Sequence, residues 1–249
     1  MGWVETQSLS FAARHDSSEA DAAAAMLDRL EGFRGELQGR FERTPYEVSV
    51  VIHPRPLMLA LAHPWLPLAW LAASPAGRRY IAGWFSSGEI HVLSPTYLER
   101  RASRVPGSRE ALRRAPLHEY AHLVVGANNP DLPPPFSPRS FRRYVDWAWL
   151  CEGAATHFSG QTPHLRAAIV RRLREGPRPE LPPSARDAQL LGGTVFSLLE
   201  RERGPAAAVV LARSETSSGP RHAIESAFER ELPRVAHEWR NYLDSLSAA

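Results

Sequence analysis

Leu117-His118-Glu119-Tyr120-Ala121-His122-Leu123 sets two histidines four residues apart, with a glutamate directly after the first. On an α-helix that interval returns to nearly the same face one turn along. His118 and His122 can therefore offer two imidazoles to one metal ion, with Glu119 beside it. Neutral imidazoles suit zinc, and a carboxylate next to a zinc-held water can take its proton, which is the layout of a metal-dependent hydrolase. Leu117, Tyr120, Ala121 and Val124 supply an apolar face that would seat such a helix in a core. An exposed His/Glu helix face, or a buried hydrogen-bonded histidine, is the other reading; the pattern arises by chance in a chain of this composition on the order of a few hundredths of the time.

A catalytic zinc usually takes three protein ligands and leaves the fourth position to water. The best third donor is Glu152, in Trp149-Leu150-Cys151-Glu152-Gly153-Ala154-Ala155-Thr156-His157-Phe158. Asp146 and His157 are the alternatives, although His157 would lie ~140° from Glu152 around a helix axis. The two stretches together resemble the gluzincin metallopeptidases of the peptidase MA-like family, whose third ligand is a glutamate on a following helix, written W-L-x-E-G-x-A. Trp149, Leu150, Glu152, Gly153 and Ala155 carry that match. The resemblance implies one Zn2+ per chain on His118, His122 and Glu152, with Glu119 as general base. It also implies an α+β, thermolysin-like fold. The N-terminal mixed-sheet lobe with an edge hairpin would occupy 1–107, and a helical lobe 108–249 would carry the metal and close on Trp239-Arg240-Asn241-Tyr242-Leu243.

Three positions depart from the family pattern. His157 stands where a tyrosine is common, and Thr156 where thermolysin-like relatives have an aspartate. The helix through Gly192-Gly193 offers Gln189 rather than an early tyrosine. Tyr144 and His157 are therefore the candidates for steadying an oxyanion. The implied function is a zinc-dependent peptidase acting on a peptide or protein substrate. No G-x-M-E-N segment is found near Gly83 or Glu89 to hold a substrate amine, which favours an endopeptidase. A zinc hydrolase of a non-peptide ester or amide, and a non-catalytic metal-stabilised scaffold that binds a protein partner, are the competing readings.

Composition narrows the rest. The 249 residues, 43% hydrophobic and 23% charged, read as an ordinary globular chain able to bury a sizeable core. Net charge is +3, carried on the basic side by arginine without a single lysine, and no concentrated stripe points to nucleic acid. The lone Cys151 can form no internal disulfide and reads as a packing residue. Met1 to Ser10 lacks the charged-then-apolar pattern of a signal segment, so a cytoplasmic location is expected. Leu57 to Ala73 is interrupted by His63, Pro64 and Pro67 and falls short of a membrane span, which makes it buried helix and loop and leaves no integral membrane segment.

Periodicity orders the elements. Val4 to Arg14 reads as a strand, Ala20 to Phe41 as a helix with an apolar stripe, and Glu47 to Ile52 as a central strand. His53 reads as a surface or core residue rather than a ligand. Tyr80 to Phe85 and Glu89 to Leu93 flank a glycine turn and form a hairpin. By the resemblance, Glu89 to Leu93 is the strand that pairs with an extended substrate. Asn128 to Pro138 and Glu175 to Ser184 are proline-rich loops, and the remainder is helical.

Overall fold

The computed structural model describes residues 2–63, 66–132 and 137–248. The N-terminal part alternates strands and helices: β1 (Trp3–Gln7), β2 (Phe11–Asp16), α1 (Ala20–Gln38), β3 (Val48–His53), α2 (Pro56–Ala62), α3 (Leu66–Ala72), β4 (Gly83–Ser86) and β5 (Glu89–Leu93). Helices follow: α4 (Pro95–Arg101), α5 (Ser108–Arg113), α6 (Ala115–Asn128), α7 (Pro138–Asp146), α8 (Ala148–Phe158), α9 (Arg166–Glu175), α10 (Ala188–Arg203), α11 (Pro205–Ala212), α12 (Gly219–Phe228) and α13 (Leu232–Ala248). The architecture is α+β. One mixed sheet, in the order β1-β2-β3-β5-β4, packs with helices into a single connected core that runs from Phe11 to Leu243.

Strand alternation sets the two faces of the sheet. Phe11, Val48, Val50, Ile52, Ile90 and Val92 are fully buried, and Phe11 meets Tyr120 of α6 edge to face at 5.1 Å, so this face carries α1 and α6. β2, β3 and β5 run parallel, while β1 and β4 are antiparallel edges. The single strand expected over Val4 to Arg14 is in fact a hairpin. Glu31 accepts hydrogen bonds from Ser10 N at 2.6 Å and Ser8 Oγ at 2.7 Å, which folds the chain back and leaves Leu9 at the exposed tip. α1 ends at Gln38, short of Phe41, yet Phe41 still packs on Phe158. The proline-rich connection expected over 128–138 lies in part, at 133–136, outside the described residues.

On the opposite face a histidine cluster sits beneath α2. His53 Nε2 and His91 Nδ1 are 2.9 Å apart, His91 Nε2 lies 3.0 Å from Glu89, and His63 meets His91 edge to face at 4.0 Å. Among the described residues His53 Nδ1 and His63 Nε2 have no hydrogen-bond partner. Burial, and next the charge of His91, push His53 and His63 each down to about 4. Unfolding restores an ordinary pKa of ~6.5, so the unfolded chain binds more protons between those values. Stability from this cluster is complete above about pH 6.5 and drains away as pH falls towards 4. Thermal melts across that window should show a falling midpoint in the wild type and a shallower fall in His53→Gln. Equal slopes would remove the cluster from the acid response.

Candidate metal centre

α6 begins at Ala115 with Pro116 in its first turn, where a missing N–H leaves no helical bond unmade, and the His118 amide already bonds back to Arg114 O at 2.9 Å. The helix is buried along its length between the sheet, α1 and α8, and this fixes which way His118, Glu119 and His122 point. α7 starts with a reciprocal cap between Ser137 and Ser140 and delivers Tyr144; Trp147 then breaks the helix and α8 delivers Glu152. α8 is held by α10 at a backbone-to-backbone crossing. A Cβ on Gly192 would lie 2.6 Å from Trp149 O, and one on Gly153 would lie 2.7 Å from the Gly192 carbonyl carbon.

The two helices bring His118, His122 and Glu152 together, with ligand-type atoms all within 4.8 Å. His118 Nε2 and His122 Nε2 are 3.1 Å apart, Glu152 Oε2 is 3.3 Å from His118, and Glu152 Oε1 is 3.5 Å from His122. Donors ~2.0–2.2 Å from one tetrahedral ion stand ~3.3–3.6 Å apart, so the cluster already has the span of a three-ligand site. This buried group could hold a metal ion. Asp146 and His157 are not part of it.

Protonation within the group follows from burial and charge. Burial pushes Glu119 up to about 8, against the nearby charge of His118 and reinforced by Glu152. Burial would raise Glu152 too, but His122, the His118 hydrogen bond and Tyr144 outweigh it and hold the carboxyl at about 2. Burial drives His122 down to about 3. His118 is instead raised, because hydrogen bonding to Glu152 and the charges of Glu119 and Glu152 overcome its burial.

A cleft of about 110 Å³ opens onto the cluster, walled by α3, β4, α7 and Gln189 of α10. Tyr144 lines it and donates its hydroxyl hydrogen bond to Glu152 Oε1. His157 does not reach it. That side chain turns towards α10, with Nε2 at 3.1 Å from Glu200, Nδ1 at 3.3 Å from Ser197 and its ring stacked on Phe196. The residue lies ~140° from Glu152 around α8, which is why the two face different neighbours. The substrate-pairing expectation for Glu89 to Leu93 also changes, because β5 is paired on both sides, by β3 and β4, and has no free edge. β4 is the edge strand, and its Gly83, Trp84 and Phe85 line the cleft.

Three residues that carry the site were not singled out from sequence. Gly83 leaves room for Glu119, whose Cγ and Oε1 would each lie 2.6 Å from an added Cβ. Phe85 stacks on the His122 ring at 4.1 Å and 10°. Behind His118 lies the buried Gln161 side chain, and among the described residues neither His118 Nδ1 nor Gln161 Oε1 makes a hydrogen bond. Gln161 is itself anchored by its Nε2, which donates to Ala111 O at 2.8 Å. Compared with models of known protein families, with characterised proteins and with solved structures, the chain matches none.

Proposed function

We propose that the chain is a zinc-dependent peptidase of the gluzincin type, with an extended peptide as substrate and internal cleavage favoured over removal of terminal residues. The observation that carries this reading is the placing of His118, His122 and Glu152 around one point, with the Glu119 carboxylate packed against the backbone of an edge strand at the cleft. Two imidazoles and one carboxylate with an open side suit catalytic zinc. When bound, zinc would supply Lewis-acid polarisation and an acidified water.

The chain's own groups account for the rest. The free edge of β4 can add an extended peptide as a further strand, which sets the scissile carbonyl beside Glu119. Burial alone holds Glu119 protonated near neutrality; a dication beside it favours the ionised form, which can accept a proton and pass it to the leaving amine. Tyr144 is kept protonated by burial and by Glu152, and its bond to Glu152 makes it a positioning group for that ligand. Gln189 and Tyr80 are the other polar side chains of the cleft wall, and Gln189 is the candidate to face a developing oxyanion. A small ester or amide as substrate is the second reading, favoured by the modest volume of the cleft.

Purified protein should contain about one zinc per chain by inductively coupled plasma mass spectrometry, and His118→Ala or His122→Ala should lose it. Hydrolysis of casein peptides should be abolished by a chelator and restored by added zinc. Full occupancy in both histidine variants would overturn the metal assignment. Zinc-loaded protein that cleaves small esters but no peptide would replace the peptidase reading with the second one.

A further inference from the structure

The segment expected to be buried over Leu57 to Ala73 forms two short helices, α2 and α3, whose large apolar side chains face outwards. Leu57 is 68% exposed, Leu61 76%, Leu71 62%, Leu68 49% and Trp70 44%. Outward leucines one helical turn apart on successive helices are uncommon on a water-facing surface and mark a site of interaction. No aspartate or glutamate occurs between Glu47 and Glu89, so the stretch of chain containing these helices carries no negative charge.

Arginines frame the pair. Arg55, Arg100 and Arg101 line one shallow groove together with Leu57 and Tyr97, next to α2. At the other end Arg78 stacks over Trp70 at 5.4 Å and donates to Ala73 O and Leu71 O, holding the end of α3. Among the described residues no carboxylate pairs with Arg55, Arg78, Arg79, Arg100 or Arg101, whereas arginines elsewhere on the chain pair freely with glutamate. An apolar surface with a tryptophan, rimmed by arginines that no carboxylate among the described residues neutralises, is complementary to a membrane surface with negative headgroups. Among the described residues no helix is long and apolar enough to cross a bilayer, so the segment would lie on it.

We propose that α2 and α3 are a membrane-surface docking element that seats the chain on anionic lipid, with Leu57, Leu61, Leu68 and Leu71 entering the headgroup boundary and the flanking arginines meeting lipid phosphates. The inference does not need the peptidase reading. If both hold, the substrate is a polypeptide close to the bilayer, because Leu68, Ala69 and Ala72 of α3 also wall the cleft.

The test is co-sedimentation of the whole chain with vesicles of phosphatidylcholine alone and of phosphatidylcholine mixed with phosphatidylglycerol, which requires no activity. Binding is expected to the mixed vesicles and to be weaker on the neutral ones. Leu61→Glu combined with Leu71→Glu should lower partitioning at least tenfold, and Arg55→Gln combined with Arg100→Gln should lower it several-fold on mixed vesicles only. These side chains are exposed, so thermal melts should be unchanged. No binding to either vesicle, or binding indifferent to the leucine pair, would overturn the proposal. So would a dimer in solution that the leucine pair converts to a monomer without any vesicle binding, since the surface would then be a protein interface.

Discussion

Glu119→Gln should lower peptide hydrolysis by ~10²–10⁴-fold, the range for loss of a positioned general base, while zinc content stays near one per chain. The amide has nearly the shape of the carboxylate, and shape is tightly constrained here because the Gly83 position lies so close to Glu119 Cγ and Oε1. Glutamine fits that space but cannot accept a proton. His118, His122 and Glu152, the residues proposed to hold the metal, are untouched, so retained zinc is the expected outcome. Stopped assays and metal analysis on one preparation separate the outcomes. Retained zinc with unchanged turnover removes Glu119 from the chemistry. Lost zinc shows instead that Glu119 helps to hold the metal.

Asp187→Ala should destabilise the fold by ~3–5 kcal/mol, lowering the melting midpoint by ~6–20 °C. Asp187 receives two hydrogen bonds from Arg172, each 2.6 Å, and both side chains are buried. Removing the carboxylate strands a guanidinium whose remaining hydrogen bond among the described residues reaches Pro177 O at 3.1 Å. The same pair ties α9 to the start of α10, so the loss should be accompanied by weaker zinc retention through Glu152. Arg172→Met combined with Asp187→Leu should recover much of the stability, since no buried charge is then left alone. A single variant that melts within a degree of wild type would show that water reaches the arginine.

The histidine spacing was legible because helix geometry is local: four residues make nearly one turn whatever surrounds them. Glu152 and the α+β class came from the resemblance of the two motif stretches to a known family, while apolar periodicity marked the individual helices and strands. Edge and interior strands were not readable, because Gly83–Ser86 and Glu89–Leu93 carry similar patterns and only the insertion of β5 between β3 and β4 tells them apart. Leu57 to Ala73 looked buried because hydropathy reports composition; which side of α2 and α3 meets the body is decided by the sheet and its histidines. His157 was drawn towards the site by its place in the motif, while its side chain follows the turn of α8 to Glu200. Gln161 lies outside the motif stretch, and only the turn of the chain after α8 brings it behind His118.

The crossing at Gly153 and Gly192 also orders events during synthesis. His118 and His122 share one helix and can take their places as soon as α6 docks on the sheet. Glu152 sits one residue from Gly153, on a helix whose partner surface is α10, made later by the ribosome. If the group holds a metal as proposed, a nascent chain that has emerged only through α9 would offer the two histidines without a fixed Glu152. Slow metal release would then belong to the finished fold, and a premature stop before α10 would yield a protein that meets the metal but does not keep it.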